Sequence, residues 1–423
     1  MIRRIKIKYI LDPIILVPFL YVVQFILYLL VFDRLKNDVY LLEDVPTFLN
    51  LESLLKYMSL FFVFYIGILL GRIFKVRFNL NNLLFYKINS KIVFLFFILT
   101  LFSEFLILVK LKNEPINVEE LKTFAQLTYI TIQNEEAWYR TFLNFSIFIG
   151  AFYFFYFKIF DYKTKKVLLY PFIITILVLL TNAILFAQRQ ILIVFFIVIL
   201  LFYLRLRGYL EKRISFLKII VFISLLFGII LLTELLRYGM FNAFRKNIEL
   251  FSFENIADVI KYLLTAYFAK DVNNALIALA SEPTYNFFST GSKLLYKIIL
   301  IFKEEQPFIP IVDPGPHGTV NFLALLWIDF GYLAFFLLPL LGFLIGMSYN
   351  LYMNIKGDNF ISLFLYSIVF AGILSGIRIN FFFLNIFIYN FILILVSILA
   401  YYLFLRLFSI TNNNKYVSEK LMP

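Results

Sequence analysis

The chain contains no cysteine, which excludes disulfides, thiol nucleophiles and thiolate metal sites. Its one histidine, His317, is too few for a multi-histidine metal centre. Zinc and redox chemistry are therefore not expected, and neither a metal nor a cofactor is assigned. The patterns GxxxxGK[ST], GxGxxG and HExxH are missing, and Gly291-Ser292-Lys293 lacks the upstream glycine of a phosphate-cradling loop. ATP hydrolysis is not expected. Charge is scarce too: 15% of the 423 residues are charged against 62% hydrophobic, more apolar surface than one water-soluble core can hide. Internal repeats and low-complexity segments are lacking.

What the chain has in abundance is apolar runs of about 18 residues or more, the length a helix needs to cross a hydrocarbon core of roughly 30 Å. Barrel strands would be shorter and would alternate. The fold class expected is an all-α polytopic integral membrane protein with about ten transmembrane helices. Hydropathy puts them near 10–32, 54–71, 92–109, 141–157, 167–187, 191–204, 214–236, 319–350, 360–377 and 380–405. The first run is too long for a signal-peptide core and lacks a small-residue cleavage site, so it is expected to stay as an anchor.

The net charge of +13 is confined to short clusters between apolar runs, which argues against nucleic acid as a partner. Basic residues precede run one (Arg3, Arg4, Lys6, Lys8) and return in every second connection, as at Arg72, Lys75 and Arg77. Acids such as Glu43, Asp44, Glu119 and Glu120 fill the connections between. The positive-inside rule then expects both termini in the cytoplasm. Three regions follow: 1–236 with seven spans, 237–318 as one large extracytoplasmic loop, and 319–423 with three more spans and a cytoplasmic tail. Within the loop, Ile256, Val259, Ile260, Leu263, Leu264, Tyr267 and Phe268 recur with helical period, the pattern of an amphipathic helix.

Ionisable groups at the edge of the bilayer are the sharpest candidates. Run six, 191–204, is short, so the preceding turn Gln188-Arg189-Gln190 is expected below the outer surface; Arg189 either faces a polar cavity there or snorkels to the headgroups. Glu234 and Arg237 stand three residues apart on one helical face, either as a structural ion pair or with the arginine turned to an anionic ligand. Arg378 lies in the outer turn Ser375-Gly376-Ile377-Arg378, and the large loop adds Arg245, Lys246 and His317. Arginine's planar fork grips phosphate, so the coincidence of Arg189, Arg237 and Arg378 on one rim suits a lipid-linked phosphate or pyrophosphate. His317 fits an acid, base or hydrogen-bond donor, or a structural loop residue. Asp329, about ten residues into its run, serves either helix packing beside Gly331 or a proton or ligand role.

Three stretches resemble the Wzy-type oligosaccharide repeat-unit polymerases of bacterial O-antigen and capsule synthesis. They are AQRQILIVFFIVIL with its arginine-bearing turn, the long outer loop with its late Gly/Pro/His turn, and HGTVNFLALLWIDFGYLAFFLLPLLGFLIG with Asp329-Phe330-Gly331 and Gly342/Gly346. The resemblance implies a metal-independent membrane glycosyltransferase on the outer face of the bacterial cytoplasmic membrane. It would move a growing glycan from its polyprenyl-pyrophosphate carrier to the sugar end of an incoming lipid-linked unit. Implied partners are polyprenyl-pyrophosphate-linked oligosaccharides, the lipid bilayer, and flippase and chain-length regulator proteins. An arginine followed eleven residues later by glycine, a loop signature of some members, is absent here, so the loop arginines take no direct assignment.

On this reading Arg189 and Arg237, with Arg378, bind the donor pyrophosphate and stabilise the charge that develops on it, and Arg245 is a further substrate-binding candidate. Glu234 or His317 would activate the acceptor hydroxyl, with Asp329 bordering the same site. A glycan flippase or transporter, or an O-antigen-type ligase, is the alternative; a transporter would show repeat symmetry and a central charged cavity.

Overall fold

The computed structural model describes residues 4–35, 50–74, 90–112, 140–159, 162–185, 189–215, 270–283, 285, 320–354, 359–376, 382, 387–396 and 399. These residues are overwhelmingly helical. The helices are α1 (Pro13–Leu35), α2 (Leu51–Ile73), α3 (Ser90–Lys112), α4 (Ser146–Ile159), α5 (Tyr162–Leu185) and α6 (Arg189–Leu206). Then come α7 (Lys270–Ala280), α8 (Phe322–Phe330), α9 (Ala334–Asn354), α10 (Phe360–Gly376) and α11 (Phe387–Val396). A small antiparallel pair joins β1 (Arg4–Lys6) to β2 (Arg213–Ser215), with Ile5 opposite Ile214.

The expectation of about ten spans and one large extracytoplasmic loop is overturned. Among the described residues four helical segments are long and apolar enough to cross a membrane: Pro13–Leu30, Leu51–Ile73, Lys91–Val109 and Phe322–Met353. They are the segments of a membrane-associated protein. Five further apolar helices are shorter. The reason is visible in α4, where every residue from Ser146 to Phe155 is buried in protein. Hydropathy alone cannot tell a helix enclosed by neighbouring helices from one enclosed by lipid. The run expected at 319–350 is also not one helix, because it breaks at Gly331. The run at 214–236 and the periodic stretch 256–268 lie outside the described residues. Within 237–318, the described helix α7 is not part of a loop laid over the spans. Val272, Ala275, Leu276, Ala278 and Leu279 are buried in the same core cluster as Tyr57, Phe64 and Trp327.

Two apolar clusters organise the packing. One gathers α4, α6 and α10 around Phe148, Phe155, Phe202, Phe360 and Phe364, whose rings meet edge-on at 5.0–6.0 Å for Phe148–Phe364 and Phe155–Phe202. The other gathers α1, α2, α7, α8 and α9. Its backbone is the α2–α9 pair, which run in the same direction with main chains in contact. A methyl group on Gly67 would strike the Pro339 carbonyl, and one on Gly71 the Phe343 carbonyl. Gly342 and Gly346 meet the Phe64 and Ile68 carbonyls in the same way. A Gly-x-x-x-Gly pair thus stands on each helix, the arrangement that lets helices approach closely where lipid offers no hydrophobic drive.

The break between α8 and α9 has a local cause. Gly331 has φ +55° and ψ −130°, a region closed to side-chain-bearing residues, and its N–H donates to the Trp327 carbonyl. A Cβ there would meet the Tyr285 ring at 2.5 Å. The chain bends sharply, so that the Trp327 ring lies 5.2 Å from Tyr332 and 6.5 Å from Phe335.

Candidate functional site

Two polar constructions interrupt the apolar bundle, one near each end of α2. At its C-terminal end, the Arg72 guanidinium grips Asp12 in fork geometry, Nη2 to Oδ2 at 2.8 Å and Nε to Oδ1 at 3.3 Å. It also donates to the Asn350 side-chain oxygen and lies 4.5 Å over the Tyr349 ring. The Asn350 amide donates in turn to the Gly71 and Arg72 carbonyls at 2.9 and 2.8 Å. Asp12 Oδ1 accepts from the Ile14 N–H at 3.1 Å, capping α1. The Tyr349 hydroxyl donates to the Lys8 carbonyl at 2.7 Å, and the Tyr366 hydroxyl donates to the Leu11 carbonyl. Every group here has a partner, so this construction fastens the N-terminal segment to the bundle. Beside it Glu211 bridges Lys8 at 2.7 Å and Lys6 at 2.9 Å. The hydrogen bond from Lys8, then that from Lys6, pushes the Glu211 carboxyl down to about 2. The same bond raises Lys8 above its ordinary value.

The second construction, toward the N-terminal half of α2, is the candidate site. Four elements contribute buried polar residues: Tyr21, Gln24 and Tyr28 from α1, Ser53 and Tyr57 from α2, Asp271, Asn273 and Asn274 from α7, and Asn321 at the start of α8, with Asp329 about 12 Å further along that helix. All are buried, with Gln24, Tyr28, Asp271, Asn273, Asn321 and Asp329 fully so. Asn321 ties the layer together. Its amide nitrogen donates to the Tyr57 hydroxyl at 2.8 Å, while its oxygen accepts from the Ala324 N–H at 3.2 Å and caps α8. The Tyr28 hydroxyl donates to Asn273 Oδ1 at 3.4 Å, and Asp271 lies within electrostatic reach of Tyr57. The neighbouring Phe322 ring packs 5.0 Å from Phe64. The start of α8 therefore lies about 9–20 Å along α2, inside its apolar length.

The layer has a cationic, aromatic border. Lys56 Nζ bonds the Leu279 carbonyl at 3.3 Å, pairs with Glu52 at 2.8 Å and lies 5.3 Å over the Trp327 ring. The Trp327 indole N–H donates to the Ser281 carbonyl at 3.4 Å. Lysine beside tryptophan and the exposed Tyr332 is a pairing typical of headgroup depth. Among the described residues no group of three or more His, Cys, Asp or Glu side chains could hold a metal ion.

Of the candidate site residues read from the sequence, Asp329 has a described side chain, enclosed at the end of α8. Arg189 opens α6, an 18-residue helix that extends beyond the expected 191–204, and only its backbone is described. Glu234, Arg237, Arg245, His317 and Arg378 lie outside the described residues. Asp271, Asn273, Tyr28 and Tyr57 escaped the sequence reading. The run Lys270-Asp271-Val272-Asn273-Asn274, set against the apolar Ala275–Ala280, was the available signal. A comparison with protein-family models, curated proteins and solved structures finds no match for this chain.

Proposed function

We propose that this protein is a membrane glycosyltransferase that polymerises polyprenyl-pyrophosphate-linked oligosaccharide units on the outer face of a bacterial cytoplasmic membrane, its termini in the cytoplasm. The observation that carries the reading is the character of the layer around Asn321. Hydroxyls, amides and carboxylates from four elements are concentrated between helices of membrane length. Such groups are costly to bury inside an apolar bundle and pair well with sugar hydroxyls. The stretch from His317 through Gly346, one of the three that resemble the polymerases, contains Asn321 and Asp329.

In the reaction, an acceptor sugar hydroxyl attacks the anomeric carbon of the donor glycan. The bond from that carbon to the pyrophosphate oxygen breaks, and polyprenyl pyrophosphate leaves. Arg189 and Arg237 are assigned to the departing pyrophosphate, whose charge grows in the transition state. A carboxylate or imidazole takes the acceptor proton.

The test is deletion of the gene in its host, with surface glycan resolved by gel, followed by complementation with wild type, Arg189→Ala and Asp329→Asn. The expected result is collapse of long ladders to a single repeat unit, restored by wild type and not by Arg189→Ala. Complete loss of surface glycan on deletion would overturn the polymerase assignment in favour of a flippase or ligase.

A further inference from the structure

Three of the four membrane-length segments meet at one end of the bundle, and that end is basic. Asp12, which precedes α1, is gripped by Arg72 in the last turn of α2, and Asn350, near the end of α9, donates to the Gly71 and Arg72 carbonyls. The end of α6 joins them: Arg205 donates to the Met353 carbonyl at 3.3 Å, and the Tyr352 hydroxyl donates to the Leu201 carbonyl at 2.9 Å. The end of α4 lies alongside, with the Phe155 ring 6.0 Å from Phe202. Beyond α6 the chain turns through Gly208 and the short segment Tyr209–Glu211 into β2, which pairs with β1 ahead of α1.

Lys6, Lys8, Lys158, Arg207 and Lys212 all stand at this end, and Glu211 is shared between Lys6 and Lys8. Asp12 is already engaged by Arg72. Arg207 and Lys212 are exposed, and the side chain of neither has a hydrogen-bond or ion-pair partner among the described residues. Compensation of helix dipoles accounts for Arg72 and Arg205 but not for Lys6 and Lys212, which lie outside any α-helix. Aromatic and apolar side chains accompany the cations. Lys212 lies 4.0 Å over the Tyr209 ring and Lys8 5.5 Å over the exposed Tyr9, while Ile73 and Phe74 are exposed at the end of α2. Cations among exposed rings at the ends of membrane-length helices are the composition of the headgroup zone. At the other end of α2, by contrast, Lys56 is paired with Glu52. A lysine or arginine near an anionic leaflet strengthens attraction to it about fivefold. We propose that Lys6, Lys8, Tyr9, Arg207 and Lys212 form a docking surface for the phosphates of anionic phospholipids in the surrounding leaflet. This is independent of the glycan reading.

The experiment uses the full-length protein in an uncharged detergent, titrated with dioctanoyl phosphatidylglycerol, with dioctanoyl phosphatidylcholine and inorganic phosphate as controls. Melting is followed by circular dichroism. Phosphatidylglycerol should raise the melting temperature saturably at low salt, and the response should shrink as salt is added. Phosphatidylcholine and inorganic phosphate should not raise it. The double variant Arg207→Gln/Lys212→Gln should bind phosphatidylglycerol at least about tenfold more weakly, two residues at about fivefold each, while melting without lipid no lower than wild type. Arg207→Lys/Lys212→Arg, which keeps both charges, should bind as wild type does. Equal binding by wild type and the glutamine double variant would overturn the surface. An equal response to phosphatidylcholine would reduce it to ordinary lipid solvation, and an equal response to inorganic phosphate to a site for soluble anions; either result overturns the proposal. So would the lack of any saturable response to phosphatidylglycerol, which would leave an acidic protein as the partner for this end.

Discussion

Replacing Arg72 by alanine should be among the most damaging single changes at the C-terminal end of α2. Its guanidinium is about one-quarter exposed and its partner Asp12 about one-tenth, side chains at 25% and 11%, so neither group is screened as a surface pair would be. The substitution removes two charge-assisted hydrogen bonds to Asp12, one to Asn350 and the stacking over Tyr349. It also leaves a carboxylate in a nearly closed site without a counter-charge, and truncation of one partner in such pairs costs about 3–5 kcal/mol. Asp12→Asn keeps an oxygen for the Ile14 N–H, so it should cost less, about 1–2 kcal/mol. The double variant should then be little worse than Arg72→Ala, giving a coupling energy above about 1 kcal/mol. The assay is reversible unfolding in mixed detergent micelles, read by far-ultraviolet circular dichroism. A loss below about 1 kcal/mol for Arg72→Ala, or strict additivity of the two changes, would refute the reasoning.

Other predictions follow from single contacts. Gly67→Val and Gly342→Val should each prevent α2 and α9 from closing, lowering the melting temperature and yield of folded protein, whereas Gly208→Ala, with φ +64° and nothing near its Cβ position, should cost about 1 kcal/mol. Gly331→Ala should be destabilising even with Tyr285 cut back to alanine, because the backbone strain at φ +55° remains when the steric contact is gone; a matched set of melts separates the two contributions. The Lys6–Glu211–Lys8 bridge should confer pH-dependent stability. The depressed Glu211 carboxyl contributes fully above its ordinary 4.5 and loses that contribution as pH falls toward about 2. The raised Lys8 contributes fully below its ordinary 10.5 and loses it as pH rises through its shifted value. Melting of Glu211→Gln should lack the acid limb that wild type shows between these carboxyl values.

The helical, membrane-associated character of the chain was legible in its long apolar runs, because length and hydropathy are local properties. The number of membrane-length helices was not. Ser146–Ile159 and Phe360–Gly376 are as apolar as spans because other helices surround them, and that enclosure depends on contacts distant in sequence. The glycines at 342 and 346 were noticed on one helix, and the matching Gly67 and Gly71 complete the pattern only once α2 and α9 are placed together. The buried layer was half legible. Asp329 drew attention as a carboxylate inside an apolar run, and Asn321 entered only within the stretch that resembles the polymerases. Tyr57 and Tyr28 did not, being two among 28 tyrosines. Asp271 was hidden by the expectation that its segment was a loop. Arg72 had been counted with the basic connections, and only the tertiary contact with Asp12 distinguishes it from its neighbours in sequence.

The most direct test of the central claim is in vitro. The purified protein, reconstituted in liposomes, is supplied with polyprenyl-pyrophosphate-linked repeat units isolated from its host, and products are resolved by mass spectrometry. The account predicts glycans lengthened in whole repeat units on the lipid, with one polyprenyl pyrophosphate released for each unit added, and loss of both signals in Arg189→Ala. Substrate that crosses the bilayer unchanged in length, with no pyrophosphate carrier released, would contradict it.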